Sequence, residues 1–356
     1  MKRLIAVILF VLARPLFVGA EVGEYISFSG KTMGTTWSAT VAAPDRLKGS
    51  ASGRNNQSAD ARVKIERIIV ARLDRINQSM SAYRRDSELS RFNSWKGGPF
   101  LVSTDMMEAL MAGWRLHRLT QGAWDGSIKP LVDLWGFGAS GSKKRMPSRA
   151  AIKRTLASTG FQNIKRVDDR HVLKQRPDIE IDLGSMAKGY AADRVARDLR
   201  ENGFDDFIVE IGGEVYASGV GRDGAAWKAG VNSPVRNIPF DHIYKVVALR
   251  DMALATSGDY RIFFNRGDRF YSHILDPKTG RPIKNNVASV SVIAQSGMLA
   301  DGLATAMLVM GAKKGIELAE SLAGVECMVI ERKKDGFIDY YTDHYSTGFQ
   351  SFVIRP

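Results

Sequence analysis

One stretch, Ile179 to Leu199, constrains the fold of this chain more than any other. It reads IEIDLGSMAKGYAADRVARDL, an alternating apolar and acidic segment followed by small residues and an amphipathic run. The pattern predicts a strand ending at Asp182, a turn through Gly184 and Ser185, and then a helix. Backbone N–H groups at such a helix start can bind phosphate, with Lys188 beside them in the first helical turn. A plain structural connection fits the same pattern, so its meaning depends on the rest of the chain.

The N-terminus predicts export. Lys2 and Arg3 precede an apolar run from Leu4 to Ala13, and small residues follow at positions 18–20. The run is about half the length that crosses a membrane. Residues 1–20 are therefore expected to be a secretory signal peptide, and residues 21–356 a single mature domain in the periplasm or outside the cell. Arg14 and Pro15 are unusual before a cleavage site, so an uncleaved signal helix that anchors the protein stays open.

Cysteine and charge content narrow the kinds of site. The single cysteine, Cys327, lies in an apolar stretch far from the signal, so we expect neither a disulfide nor a lipoprotein anchor. A metal site then needs oxygen or nitrogen ligands, which favours Mg²⁺ or Ca²⁺. The net charge of +13 can attract anionic ligands or membrane headgroups. The chain has no RNA-binding motif and no basic tract beyond Lys143 to Arg145, so a solvated basic surface is favoured over nucleic-acid binding.

The order of elements predicts one α+β unit. No repeat, low-complexity tract or clear linker divides the chain. We expect a single large mixed unit of β-sheets with scattered helices. Strands dominate the second half, at Phe207 to Ile211, Val215 to Val220, Lys245 to Leu249, Arg269 to Leu275 and Val287 to Ala294, and helices interrupt them at Leu299 to Met310 and Lys313 to Leu322.

Two further segments contain candidate functional residues, one for metal binding and one for acid–base catalysis. Asp301 and Thr305 stand four residues apart in a predicted helix, which puts a carboxylate and a hydroxyl on one face. Such oxygens suit Mg²⁺, which takes few protein ligands, although taken alone the spacing is explained more simply by a capping Asp and a core-facing Thr. His273 ends a predicted strand before a rigid turn, where it can serve as a general base or merely bond within the turn.

A rival reading is a penicillin-recognising serine acyltransferase. Ser185 to Lys188 matches S-x-x-K, and Lys278 to Gly280 matches K-T-G. In that class K-T-G lies on a strand edge, whereas here Asp-Pro and Arg-Pro flank it and predict a turn. No S-D-N stands between the two motifs. The sequence therefore disfavours this class.

Eight segments in order resemble the ApbE family, the FAD:protein FMN transferases of the bacterial cell envelope. The resemblance runs from about Gly30 to the C-terminus, and the order of the motifs makes it specific. The segments are GKTMGTTWS, MSAYRRDSELSRFN, DGSIKPLVDLWGFG, IDLGSMAKGYAAD, VEIGGEVYASG, ATSGDYR, HILDPKTGRPI and ADGLATAM.

The resemblance implies an ApbE-like fold and an enzyme that binds FAD and Mg²⁺. Such an enzyme moves FMN onto a Ser or Thr hydroxyl of an acceptor protein, expected to be a membrane redox subunit, and releases AMP. By motif, His273 is the candidate catalytic base. Ser185 (through its carbonyl), Asp301 and Thr305 are the candidate metal ligands. The residues expected to contact FAD are Met33, Tyr83, Ala123, Trp124, Asp125, Asp182, Lys188 and Leu275.

Two departures and two alternatives accompany the resemblance. Many relatives are lipoproteins, whereas this chain has no lipidation cysteine. Ala304 stands where some relatives carry a second acid, which leaves fewer charges for the metal. An FAD pyrophosphatase that passes FMN to water needs the same site, and so does a flavin-binding protein without catalysis. The sequence does not name the acceptor.

Overall fold

The structure, a computed structural model, describes residues 25–43, 51–138, 144–235, 242–267, 269–335 and 338–354, without the side chains of residues 51–58 and 334–340. The predicted signal peptide lies outside these ranges. The described α-helices are α1 (Ala51–Met80), α2 (Glu88–Ser94), α3 (Thr104–Leu119), α4 (Lys129–Trp135), α5 (Arg149–Leu156), α6 (Gly184–Glu201), α7 (Gly297–Met310) and α8 (Ala312–Glu320).

The described strands follow the same chain order. They are β1 (Tyr25–Thr32), β2 (Thr35–Ala42), β3 (Phe100–Leu101), β4 (Ile164–Arg166), β5 (His171–Lys174), β6 (Phe207–Ile211), β7 (Glu214–Ser218), β8 (Trp227–Asn232), β9 (Ile243–Leu249), β10 (Met252–Gly258), β11 (Phe263–Arg266), β12 (Arg269–Ser272), β13 (Leu275–Asp276), β14 (Arg281–Pro282), β15 (Val287–Ala294), β16 (Glu326–Asp335) and β17 (Ile338–Tyr345).

A mixed sheet-and-helix architecture results, as the sequence predicts. The largest sheet has the order β1-β2-β6-β7-β10-β15-β16-β17, and each neighbouring pair is antiparallel. Two-stranded pairs β8-β9, β11-β12 and β13-β14 and a small sheet β3-β5-β4 surround it. The predicted α+β class is confirmed.

The central strands of the large sheet are covered on both faces. Tyr216 on β7 belongs to the core that the sheet forms with α1, α3, α6 and α7. Its neighbours Val215 and Ala217 belong to a second core beneath β8 and β9. Every residue of β7 and β15 is consequently buried. Because side chains alternate along a strand, Glu214 lies on the same face as Tyr216, toward the helices.

The prediction of a strand from Ile179 to Asp182 is wrong. Long-range partners take up the backbone of this segment: the Asn93 amide donates to Ile181 O and accepts from Ile181 N, each at 2.8 Å. Asp182 N donates to Gly126 O at 2.7 Å. No ladder forms, and α6 starts at Gly184. Ser185 therefore lies inside the helix, and Lys188 lies in its second turn rather than its first.

The remaining motif predictions concern turns and spans. Lys278 to Gly280 lies in the tight turn between β13 and β14, where Thr279 Oγ1 donates to Asp276 at 3.0 Å. This is the turn that disfavours an acyltransferase. Among the helices that the structure describes, none combines the length and apolar character of a membrane span.

Candidate active site

The site begins where α6 crosses α7. A Cβ at Gly189 would lie 2.0 Å from Gly297 O and 2.9 Å from the Cβ of Asp301, so only glycine allows this approach. Asp193, one turn further along α6, contacts the start of α7. Residues later in α6 therefore contact residues earlier in α7, which shows that the two helices are antiparallel. One turn in the other direction brings Ser185 of α6 to the level of Thr305 of α7.

Asp193 fixes the start of α7. Its carboxylate accepts from Ser296 Oγ at 2.8 Å, Gly297 N at 2.6 Å and Met298 N at 3.0 Å. These amides have no partner within their own helix, so a neighbouring helix supplies the cap. The cap sets the position of Asp301 one turn later.

Replacing Asp193 with alanine is expected to lower the free energy of unfolding by about 1–3 kcal/mol, because buried donors lose their acceptor. Thermal and urea unfolding measure the change. Glu201→Ala, which removes an exposed carboxylate at the end of the same helix, is the matched control and should leave the midpoint nearly unchanged. Equal midpoints for the two variants would contradict the capping role.

The three predicted metal ligands lie on the two crossing helices, Ser185 on α6 and Asp301 and Thr305 on α7. Asp301 is only 2% exposed, and its Oδ2 accepts from Gly189 N at 3.1 Å. Trp124 Nε1 donates to Ser185 Oγ at 3.0 Å, and the Thr305 and Ser257 hydroxyls lie 2.9 Å apart. Burial raises the pKa of the Asp301 carboxyl, while the Lys188 ammonium opposes the rise. A desolvated carboxylate, with the Thr305 hydroxyl one turn further along the same helix, supplies oxygen donors suited to a hard cation such as Mg²⁺.

Lys188 lies between two carboxylates. Its Nζ is 2.5 Å from Oε2 of Glu214, whose side chain is 2% exposed. Burial alone would lower the pKa of the Lys188 ammonium, but Glu214 and Asp301 raise it above its ordinary value. Burial raises the pKa of the Glu214 carboxyl, the Lys188 ammonium opposes that rise, and the Asp301 carboxylate adds to it. With the Lys188 ammonium and both carboxylates ionised, the cluster carries a net charge of −1, which favours the binding of a cation.

The β1–β2 turn reaches the same place. Met33, at φ 49°, and Gly34 form this turn. A Cβ on Gly212 would lie 2.7 Å from Thr35 Cγ2 and 3.0 Å from Lys188 Cδ. The turn that carries Met33 therefore lies beside Lys188.

Asp182 and Tyr83 form a neighbouring pair. Asp182 accepts from Gly184 N at 2.7 Å, and burial raises the pKa of its carboxyl. Tyr83 is 73% exposed, and partial burial together with the Asp182 carboxylate raises the pKa of its phenol. A largely exposed aromatic side chain near the start of α6 is available for stacking.

His273 presents one ring nitrogen as a base. Its Nδ1 lies 3.0 Å from Ile262 O, a carbonyl that can only accept, so Nδ1 carries the proton and Nε2 is left with its lone pair. The Phe137 ring packs edge-on at 6.4 Å between centroids. Burial lowers the pKa of His273 to about 4, and Lys188 contributes to the shift. The imidazole is therefore neutral near pH 7.

The rate of any step that uses His273 as a base should stay constant between about pH 8 and pH 5. The lowered pKa keeps the ring deprotonated down to about pH 4, whereas a histidine of ordinary pKa, about 6.5, would lose its base form much earlier. NMR titration of the ring, assigned by comparison with His273→Gln, measures this directly. An inflection near pH 6.5 in the ring signal would contradict the lowered pKa of His273.

The side chains of the remaining predicted FAD contacts form hydrogen bonds or pack within the protein itself. Asp125 accepts from Ser127 N at 2.8 Å, Ser127 Oγ at 2.5 Å and Phe161 N at 3.3 Å. Ala123 and Trp124 are 7% and 1% exposed. The Leu275 side chain packs in a small core with Leu131, Trp135 and Ile152. The structure does not bring the side chains of Asp125 or Leu275 to the cluster around Lys188.

Two residues of the site escaped the sequence prediction. Glu214 follows the Gly212-Gly213 pair, and Ser257 lies in the ATSG segment. An acid in the otherwise uncharged run EVYAS was the available signal for Glu214. Ser257 gave no signal, because its partner Thr305 is 48 residues away.

A large groove lies elsewhere. It runs along α3 with a volume of about 960 Å³, and none of the predicted site residues lines it. The cluster of charged residues at the α6–α7 crossing, rather than this groove, carries the chemistry described above.

Comparisons with known proteins identify the family of this chain. The ApbE family profile matches residues 33–329. An FAD:protein FMN transferase from Vibrio cholerae serotype O1 is 37% identical over 342 residues, which cover 96% of each chain. One from Escherichia coli K12 is 32% identical and covers 93% of this chain and 90% of its own.

Solved structures give the same result. The flavin transferase ApbE from Vibrio cholerae has a TM-score of 0.79 at 36% identity and covers 92% of this chain and 99% of its own. The apo form of the flavinyl transferase ApbE from Pseudomonas stutzeri has a TM-score of 0.78 at 33% identity, with 92% and 96% covered. The profile spans most of the chain and these relatives cover nearly all of it, so the chain belongs to the ApbE family.

Proposed function

We propose that this protein transfers FMN from FAD to a Ser or Thr hydroxyl of an envelope redox protein, with Mg²⁺, and releases AMP. The observation that carries the proposal is the buried cluster at the α6–α7 crossing, where Lys188 lies 2.5 Å from Glu214 and beside Asp301. Membership of the ApbE family, whose curated relatives are named FAD:protein FMN transferases, supports the same reaction.

Asp301, Thr305 and Ser185 would hold the metal ion. When bound, Mg²⁺ would neutralise charge that develops on the phosphate oxygens. Its affinity for this donor set follows from the burial of Asp301, since a desolvated carboxylate gains most from a nearby cation. The hydroxyl of Ser257, 2.9 Å from that of Thr305, orients the latter oxygen.

The chain's own residues perform the remaining tasks. Lys188 binds an oxygen of the FAD diphosphate through its ammonium. Nε2 of His273 accepts the proton of the acceptor hydroxyl. The hydroxyl oxygen bonds to the phosphorus of the FMN half, the anhydride bond to the AMP half breaks, and AMP leaves with the electron pair. Tyr83 and the turn at Met33 contact the flavin.

We also propose that residues 1–20 export the protein to the periplasm or beyond, where it is soluble or held by an uncleaved signal helix, and that it is not a lipoprotein. The charged start and short apolar run of this segment support export. Fractionation of cells tests the export, and N-terminal sequencing of the product shows whether the signal is cleaved. Recovery in the cytoplasm would contradict it.

Incubation with FAD, MgCl₂ and a Ser- or Thr-containing acceptor tests the activity. We expect AMP release, an FMN-sized mass increase on the acceptor and a fluorescent acceptor band on a denaturing gel. Omitting Mg²⁺, or mutating the acceptor hydroxyl to alanine, should abolish the mass increase. Free FMN without acceptor labelling would assign a pyrophosphatase instead, and tight FAD binding without AMP release would assign a binding protein.

A further inference from the structure

Glu214 is a buried acid in a place that does not need one. It begins β7, directly after Gly212 and Gly213, whose φ values of 61° and 102° turn the chain sharply. The rest of β7 reads VYAS and is buried throughout. An apolar residue at position 214 would pack in such a strand without any desolvation cost, because buried ion pairs seldom stabilise a fold more than apolar residues of similar volume do.

The surroundings of Glu214 account for its presence. Its Oε2 lies 2.5 Å from Lys188 Nζ, and the Lys188 side chain is 29% exposed, so a buried acid is paired with a side chain that is partly accessible to solvent. Gly212 leaves room for the lysine stem, since a Cβ there would come within 3.0 Å of Lys188 Cδ. The strand therefore fixes the acid, and the acid fixes the end of a long side chain that has several rotatable bonds.

We propose that Glu214 is a positioning residue for flavin transfer, which holds the Lys188 ammonium where it meets the FAD diphosphate. The inference rests on the proposed function in taking FAD as the substrate. Glu214 itself does not contact FAD. It keeps the ammonium in one position while charge develops on the phosphate oxygens, which is when a fixed cation matters most.

Glu214→Gln separates binding from turnover. The variant keeps the shape of the side chain and a hydrogen-bond acceptor but removes one negative charge. The site then carries one more net positive charge, so FAD, an anion, should bind as tightly as before or more tightly. AMP release should slow by about ten- to a hundred-fold, the usual cost of losing a residue that orients a ligand-binding group. If Glu214 served folding alone, its replacement would not slow AMP release while leaving FAD affinity intact.

A double-mutant cycle tests the contact itself. The proteins are wild type, Lys188→Met, Glu214→Gln and the double variant, and the readouts are thermal melting, FAD affinity by quenching of flavin fluorescence, and AMP release. Lys188→Met leaves the buried Glu214 carboxylate without its cation and should have the lowest melting temperature of the four proteins. The double variant should melt at a higher temperature than Lys188→Met. In AMP release, the double variant should be no slower than Lys188→Met, because the two residues act as a unit. Glu331→Gln, which removes a carboxylate paired with His344 at 3.0 Å elsewhere in the sheet, is the control.

Three results would overturn the inference. They are wild-type AMP release by Glu214→Gln, FAD binding weakened by Glu214→Gln as much as by Lys188→Met, and a double variant that melts no higher than Lys188→Met. A wild-type protein that releases no AMP with either an acceptor or water would instead refute the proposed function. The melting comparison would then still decide whether Glu214 holds Lys188, because it requires no turnover.

Discussion

Asp301→Asn is expected to lower AMP release by about a thousand-fold, corresponding to about 4 kcal/mol of lost transition-state stabilisation. Asn has nearly the shape of Asp and can keep the contact with Gly189 N, but it brings no negative charge to a divalent ion. The metal-free variant should melt at or above the temperature of the wild type, because a buried carboxylate without a cation is removed. Added Mg²⁺ should raise the melting temperature of the wild type and not that of Asp301→Asn.

The matched control is Asp168→Asn, a carboxylate in the exposed turn before β5. It should retain wild-type turnover and the Mg²⁺-induced rise in melting temperature. If Asp301→Asn kept both properties as well, the ion would be bound elsewhere in the protein and the proposed ligand set would be wrong.

The second large effect is expected for His273→Gln. Loss of the base should slow FMN transfer by about 10²- to 10⁴-fold, while FAD affinity changes little, since the ring nitrogen acts on the acceptor hydroxyl. Stopped assays of acceptor mass and equilibrium fluorescence titration measure the two quantities. His171→Gln, which changes an exposed histidine on β5, should alter neither. A parallel loss of FAD affinity in His273→Gln would indicate that the histidine binds FAD instead.

Local sequence predicted those parts of the fold that local forces determine. The strands at Phe207–Ile211 and Val287–Ala294 were predicted with the bounds that the structure has, because their β-branched residues favour extended backbone. The segment before α6 looked equally strand-like. It failed because its backbone groups bond to Asn93 and Gly126, about 90 and 55 residues earlier in the chain, and no local pattern encodes such partners.

The residues of the site likewise divide into those that the local sequence predicted and those that only the structure revealed. Spacing alone predicted that Asp301 and Thr305 share a helix face. Local pattern also singled out Lys188 and His273, and the resemblance added their expected roles as an FAD contact and a catalytic base. Glu214 required the structure, because its importance depends on the distance to Lys188 across a strand and a helix. The buried positions of Asp125 and Leu275 likewise depend on packing partners far away in sequence.

The glycine contact between α6 and α7 also bears on how a ligand enters. With no side chain between Gly189 and Gly297, and with Asp193 clamped to the start of α7, the two helices can separate only by breaking that clamp. They should therefore move as one rigid body. A ligand must therefore enter and leave past elements outside the helix pair, among them the β1–β2 turn beside Lys188.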